Sequence, residues 1–228
     1  SGEGDNTYTG AAYIFKRDTN AETWTQQDKL TASDGQELSW YGVSASISGD
    51  YAIVGAYRHP QEGNQQKYGA AYIFKNNGTS WTEQQRLLAS DGALSDEFGY
   101  SVSLSGDYAI IGAHYDDTDG SGPNGSAYIY KLDGTNNVWT EHAKIILSDQ
   151  TAGTTYGTGD QFGFSVSLND TGHAIVGAYN KNSATGAAYI YELTPIAGLT
   201  FDGYNQLALT NTPTYVSSKL AYISNVYD

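Results

Sequence analysis

Cysteine and methionine are absent from all 228 residues, proline occurs only four times, and 11 basic side chains stand against 25 acidic ones. Without cysteine there is no disulfide scaffold and no thiol chemistry. The missing methionine includes an initiator, so the chain is expected to begin after processing of a longer precursor. No apolar run approaches the ~20 residues that a membrane-crossing helix needs, and no membrane span is expected. A formal charge of −14 repels phosphate backbones, which argues against a nucleic-acid partner. Amphipathic helical spacing is missing as well. What remains is an all-β chain rich in tyrosine (20) and glycine (27).

One sentence of text recurs nearly four times. Ala11-Ala12-Tyr13-Ile14-Phe15-Lys16 returns at Ala70 to Lys75, at Ser126 to Lys131 and at Ala187 to Glu192, a unit of roughly 57 to 61 residues. Other landmarks keep phase with it. Trp24, Trp81 and Trp139 are each followed by Thr, and Asp34, Asp91 and Asp149 come ten residues after each Trp. An aromatic-Gly pair opens the other half of the unit at Tyr41-Gly42, Phe98-Gly99 and Phe162-Gly163, and Gly-Ala follows at 55–56, 112–113 and 177–178.

Within one unit, residues 100–105 alternate polar and apolar, Gly106-Asp107 makes a turn, and residues 108–113 form a nearly continuous apolar strand. Two further strands, from Ser126 and from Trp139, complete four antiparallel strands per unit. Such units bury one face against the next sheet, as a β-propeller requires. The text Phe98-Gly99, Gly112-Ala113, Gly125-Ser126-Ala127-Tyr128-Ile129 and Trp139-Thr140 resembles the FG-GAP repeat, the blade of integrin alpha-subunit-like propellers, in its bacterial-style variant. The resemblance covers roughly residues 9 to 193 and implies a propeller of four-stranded blades with an adhesive role outside the cell.

The repeat array is expected over 1–198, as a partial unit 9–40, full units 41–97 and 98–161, and a partial unit 162–198. A different text, 199–228, reads as a tail of two strands around Leu207 and Leu209 and around Leu220 and Ile223. Thirteen repeat strands plus two or three from the tail come close to four blades. Closure within one chain is one outcome. The other is completion between molecules, because unpaired strand edges invite β-addition and a head-to-tail contact that does not close makes a filament. For that contact the tail residues Leu207, Leu209, Leu220 and Ile223 are expected to pair with the open sheet near Tyr13 and Trp24.

The densest carboxylate cluster is the loop His114 to Gly122. Asp116, Asp117 and Asp119, with Asn124 beyond, offer hard oxygen donors of the kind that bind Ca²⁺, one site at most, and the loop resembles the cation-binding hairpin of FG-GAP blades. The corresponding loops at 58–63 and 180–183 lack the carboxylates. Gly120-Ser121-Gly122-Pro123-Asn124-Gly125 matches a dinucleotide fingerprint in form, but a strand follows it and not a helix. Ser44, Ser101 and Ser165 recur in every unit, which argues for a role in the strands. His59, His114, His142 and His173 share no repeat position and read as solvated loop residues. The Asp-Gly pairs read as turns, and the repeated Trp residues as packing between blades and not as a sugar-stacking row. Asn77, Asn124 and Asn169 are formal glycosylation sequons.

The reading is therefore a noncatalytic, structural or adhesive propeller protein at the cell surface or outside the cell. Its partner is another copy of itself, or another surface protein or glycan. The alternative is a monomeric carbohydrate- or protein-binding module with divalent-cation-dependent adhesion.

Overall fold

The computed structural model describes residues 10–18, 20–35, 37–60, 67–117, 122–150 and 159–193, the side chains of residues 182 and 183 excepted. Thirteen strands occur among them: β1 (Ala12–Arg17), β2 (Trp24–Leu30), β3 (Tyr41–Ser48), β4 (Tyr51–Ala56), β5 (Ala70–Asn76), β6 (Trp81–Leu87), β7 (Ser101–Ser105), β8 (Tyr108–Ala113), β9 (Ser126–Asp133), β10 (Val138–Ile145), β11 (Phe162–Leu168), β12 (His173–Ala178) and β13 (Ala187–Glu192). A single helical turn, α1 (Lys181–Ala184), stands where the sequence suggests a plain loop. The tail from 199 lies outside the described residues, and with it Leu207, Leu209, Leu220 and Ile223.

The strands form four antiparallel meanders: β1-β2, β3-β4-β5-β6, β7-β8-β9-β10 and β11-β12-β13. Among the described residues two four-stranded sheets thus stand between a two-stranded and a three-stranded one. The first sheet holds only the third and fourth strand of a unit; the last holds the first three.

Alternation along each strand sends side chains to two faces, and the two faces differ. The front of the second sheet carries Tyr72, Phe74 and Trp81, packed with Leu30 and Ile14 of the first sheet. Its back carries Ile53, Ile73 and Leu87, which meet Tyr128, Tyr130 and Trp139 of the third sheet. The back of the third sheet, with Ile110, Ile129 and Ile145, meets Phe162, Val176 and Tyr189 of the fourth. Each junction is therefore aromatic front on aliphatic back. Within each full front the aromatic-Gly ring sits edge-on to the strand tyrosine: Tyr41 on Tyr72 at 5.5 Å, Phe98 on Tyr128 at 5.3 Å and Phe162 on Tyr189 at 5.8 Å.

The inner strands of neighbouring sheets approach until backbones touch. A Cβ on Gly55 would lie 1.9 Å from the Gly99 carbonyl oxygen, and one on Gly112 1.9 Å from that of Gly163. The recurrent serines fasten the same contact. Ser44 Oγ donates to the Gly99 carbonyl at 3.0 Å and Ser101 Oγ to that of Gly163 at 2.8 Å, while the Leu104 and Leu168 amides donate to Ser46 and Ser103 Oγ at 3.0 Å. This is the strand role that their recurrence implies. The pairing of the third and fourth strands shifts register at one recurrent place in three sheets, leaving Gln27, Gln84 and His142 as the extra residues.

Candidate functional site

Three kinds of site bear on function: the polar clusters at the sheet junctions, the carboxylate loop, and the two faces that no described sheet covers.

At each junction a polar cluster joins the loop after a fourth strand to the sheet that follows. Asp34 accepts the Tyr72 hydroxyl at 2.7 Å, pairs with Arg86, and lies 3.4 Å from His59 Nε2. One unit on, Asp91 accepts the Tyr128 hydroxyl at 2.8 Å and pairs with Lys144 at 2.7 Å; Lys144 also meets Asp116 at 2.5 Å. In the third cluster Lys181 lies 2.9 Å from Asp160 and 3.5 Å from Asp149. The position three residues after Gly-Ala is thus occupied in turn by His59, Asp116 and Lys181, and the surrounding charges change with it. Burial acts to raise the carboxyls of Asp34 and Asp91, but hydroxyl and cationic partners hold both below their ordinary value. The repeated aspartates therefore do more than form turns. The signal was present in the text: Lys29, Arg86 and Lys144 each stand five residues after a Trp.

Two histidines also depart from expectation. His59 and His114 are each 3% exposed, not solvated, and burial pushes the His114 imidazole down to about 4. His114 Nε2 lies 3.5 Å from the buried Glu97 carboxylate, which Arg58 approaches from the other side at 3.8 Å. Asp96 is buried beside this group, near Asp116, Lys144 and Asp91. Burial raises its carboxyl to about 7 against the opposing hydrogen bond from the Ala93 amide.

In the carboxylate loop, Asp116 is turned inward to Lys144 and to the Tyr128 hydroxyl at 2.9 Å. Asp117 accepts the Gly122 amide at 2.9 Å, and Asn124 donates to Gln150 at 3.4 Å. Asp119 lies outside the described residues, and among those described no three acidic or histidine side chains converge on a position for a metal ion. Asp116 Oδ2 and Asp117 Oδ1 are thus engaged by the protein itself.

The uncovered faces are the clearest departure from the repeat. Tyr13, Phe15 and Trp24 occupy the front positions of the first sheet and are 49%, 53% and 64% exposed, whereas Tyr72, Phe74 and Trp81 are 0%, 2% and 8% exposed. At the opposite end, Ile175 and Ile190 on the back of the last sheet are 42% and 40% exposed; their counterparts Ile110 and Ile129 are 0% and 1%. Ser165 and Ser167, the counterparts of the fastening serines, are exposed on β11. Among the described residues β1 and β13 also each have a neighbouring strand on one side only. The structure thus places Tyr13 and Trp24 on one face that no described sheet covers. It adds the aliphatic face at the other end, which the sequence reading had not singled out.

No helix among the described residues is long and apolar enough to cross a membrane. No curated protein matches the chain. The FG-GAP repeat model matches residues 24–74, 81–130 and 139–191, together more than half of the sequence. Each matched stretch starts on the fourth strand of one sheet and ends on the third strand of the next. On these three matches and the sheets they thread, the chain belongs to the FG-GAP repeat family, whose repeats build β-propellers.

Proposed function

We propose that this is a noncatalytic structural or adhesive protein of the cell exterior, assembled head to tail through its two uncovered sheet faces. The observation that carries this reading is their complementarity. The front of the first sheet bears the Tyr, Phe and Trp that, in the next sheet, are buried on an aliphatic back. The back of the last sheet bears the isoleucines that, in the two preceding sheets, receive such a front. Stacking one copy's Tyr13, Phe15 and Trp24 on another's Ile175 and Ile190 repeats a junction that the chain already makes. Each half-exposed large side chain so covered contributes roughly 1–2 kcal/mol. The contact is heterologous, so it extends into a filament unless the rotation closes it. In this reading the segments around Leu207, Leu209, Leu220 and Ile223 supply strands to the open edges of β1 and β13.

The test combines native mass measurement with negative-stain imaging over about a hundredfold range of protein concentration. The chain is expected to form longer species as concentration rises, and Trp24→Glu, Ile190→Lys and deletion of 199–228 are each expected to stop growth. Mixing Trp24→Glu with Ile190→Lys should give dimers and nothing longer, since each variant keeps one sound end. A chain that stays monomeric throughout, or single variants that still polymerise, would overturn the reading.

A further inference from the structure

At the ends of the sheets where the fourth-to-first and second-to-third strand loops meet, aromatic rings from three successive units touch in series. Trp40 meets Tyr57 at 5.9 Å, Tyr57 meets Tyr100 at 5.3 Å, and Tyr100 meets His114 at 4.1 Å and Phe164 at 5.1 Å; Phe164 meets Tyr179 at 4.5 Å. The row ends on two half-exposed rings, Trp40 (51%) and Tyr179 (49%).

The repeat does not require these residues. Framework positions keep the same residue type from unit to unit, as with Gly55, Gly112 and Gly177, or Ile53, Ile110 and Ile175. Positions in the row do not: Trp40 is answered by Glu97 and Gln161, Tyr57 by His114 and Tyr179, and Arg58 by Tyr115 and Asn180. The backbone nevertheless holds the first of these positions in one strained form throughout, with φ of 55° at Trp40, 59° at Glu97 and 54° at Gln161. A left-handed non-glycine residue costs on the order of 1 kcal/mol or more; the side chain it carries is buried at Glu97 and Gln161 and half exposed only at Trp40. Loops held by a rigid sheet frame are where binding residues concentrate.

The chain itself shows which chemistry this row accepts. The Arg58 guanidinium lies 5.7 Å from the Trp40 ring and 5.3 Å from the Tyr57 ring, with the Glu97 carboxylate 3.8 Å away. A planar guanidinium stacks on aromatic faces and is more weakly hydrated than an ammonium, so it suits such a surface better than lysine does. At the other end of the row the position of Arg58 is held by uncharged Asn180, beside the exposed ring of Tyr179. The chain's charge of −14 favours cationic partners. We infer that the aromatic row from Trp40 to Tyr179 is a docking surface for an arginine-bearing segment of a basic protein partner.

Isothermal titration of the full chain tests this with three probes: a short glycine-arginine peptide, the same peptide with lysine in place of arginine, and a neutral oligosaccharide. The arginine peptide is expected to bind about tenfold more tightly than the lysine peptide. The double variant Trp40→Ala/Tyr179→Ala should lose about tenfold in affinity for it, with the melting temperature checking that the fold is intact. Arg58→Ala, which vacates the internal guanidinium, should tighten binding more than the charge-matched Lys75→Ala. Equal affinity for the two peptides, or affinity indifferent to the aromatic and Arg58 substitutions, would reduce the attraction to general charge and overturn the proposal. Saturable oligosaccharide binding that the double variant abolishes would overturn it in favour of a glycan.

Discussion

The Tyr128 hydroxyl reaches from the third sheet to the Asp91 carboxylate on the loop that leaves the second, at 2.8 Å, with Asp116 at 2.9 Å on its other side. Tyr72 and Asp34 repeat the relationship one unit earlier at 2.7 Å. The hydroxyl crosses a sheet boundary, so it adds a directional tie, like those of the recurrent serines, to an apolar junction. Its single proton serves two carboxylates, and Lys144 neutralises part of what remains.

Tyr128→Phe is expected to destabilise the chain by about 1–3 kcal/mol, because a buried carboxylate loses a donor while packing is nearly unchanged. Tyr13→Phe, whose ring is half exposed, should fall within about 0.5 kcal/mol of wild type. Urea denaturation of the two variants in parallel makes the comparison. Equal effects would remove the tyrosine hydroxyl from the account of the junction.

Lys144→Met should cost about 3–5 kcal/mol, since it strands the buried Asp116 carboxylate beside Asp91 and Asp96. Adding Asp116→Asn to that variant should restore part of the loss. A double variant no more stable than Lys144→Met alone would contradict the charge argument.

Gly112→Ala should fail to fold or lose most of its stability, because the new Cβ would lie 1.9 Å from the Gly163 carbonyl oxygen. Gly177→Ala occupies the same repeat position on the uncovered side, where the added Cβ meets only the Ser165 side chain at 2.4 to 3.7 Å and its carbonyl oxygen at 3.8 Å. A turn of the Ser165 rotamer relieves the closest of these contacts, so Gly177→Ala should be much the milder. Thermal melts of the two proteins at dilute concentration decide between them.

Asp96 and His114 give stability opposite slopes in overlapping pH windows. Asp96, raised to about 7, holds its proton in the folded state, so its contribution is complete below 3.8 and is lost as pH rises through about 7. His114, lowered to about 4, resists protonation when folded, so its contribution is present above 6.5 and is lost as pH falls through about 4. His114→Gln should therefore leave a chain that gains stability between pH 7 and 4, and Asp96→Asn one that loses it. Denaturant midpoints at pH 4.5 and 7 would expose an error in either sign.

The all-β class and the strand order within the described sheets were legible because one text recurs in phase, and every recurrence demands the same backbone. Gly112 and Ser101 illustrate this: each repeats because a neighbouring carbonyl must come close. Residues that do not recur were the hard ones. His59 and His114 looked like loop histidines because nothing in a linear text reports that His59 packs against Tyr72 and Asp34, or His114 against Glu97 and Phe164. The Asp116–Lys144 pair was hidden because the two residues are 28 positions apart in sequence and adjacent only after the meander folds. The aromatic row was invisible for a related reason, being assembled from positions whose residue type is not kept through all the units.

The family repeat and the sheet are out of step, since each matched stretch of about 50 residues runs from one sheet into the next. The arrangement is that of brickwork, in which every course covers a seam. A gene that gains or loses one whole repeat therefore adds or removes four strands, one sheet's worth, by re-cutting two sheets at once, and the described partial sheets at the two ends stay as they are.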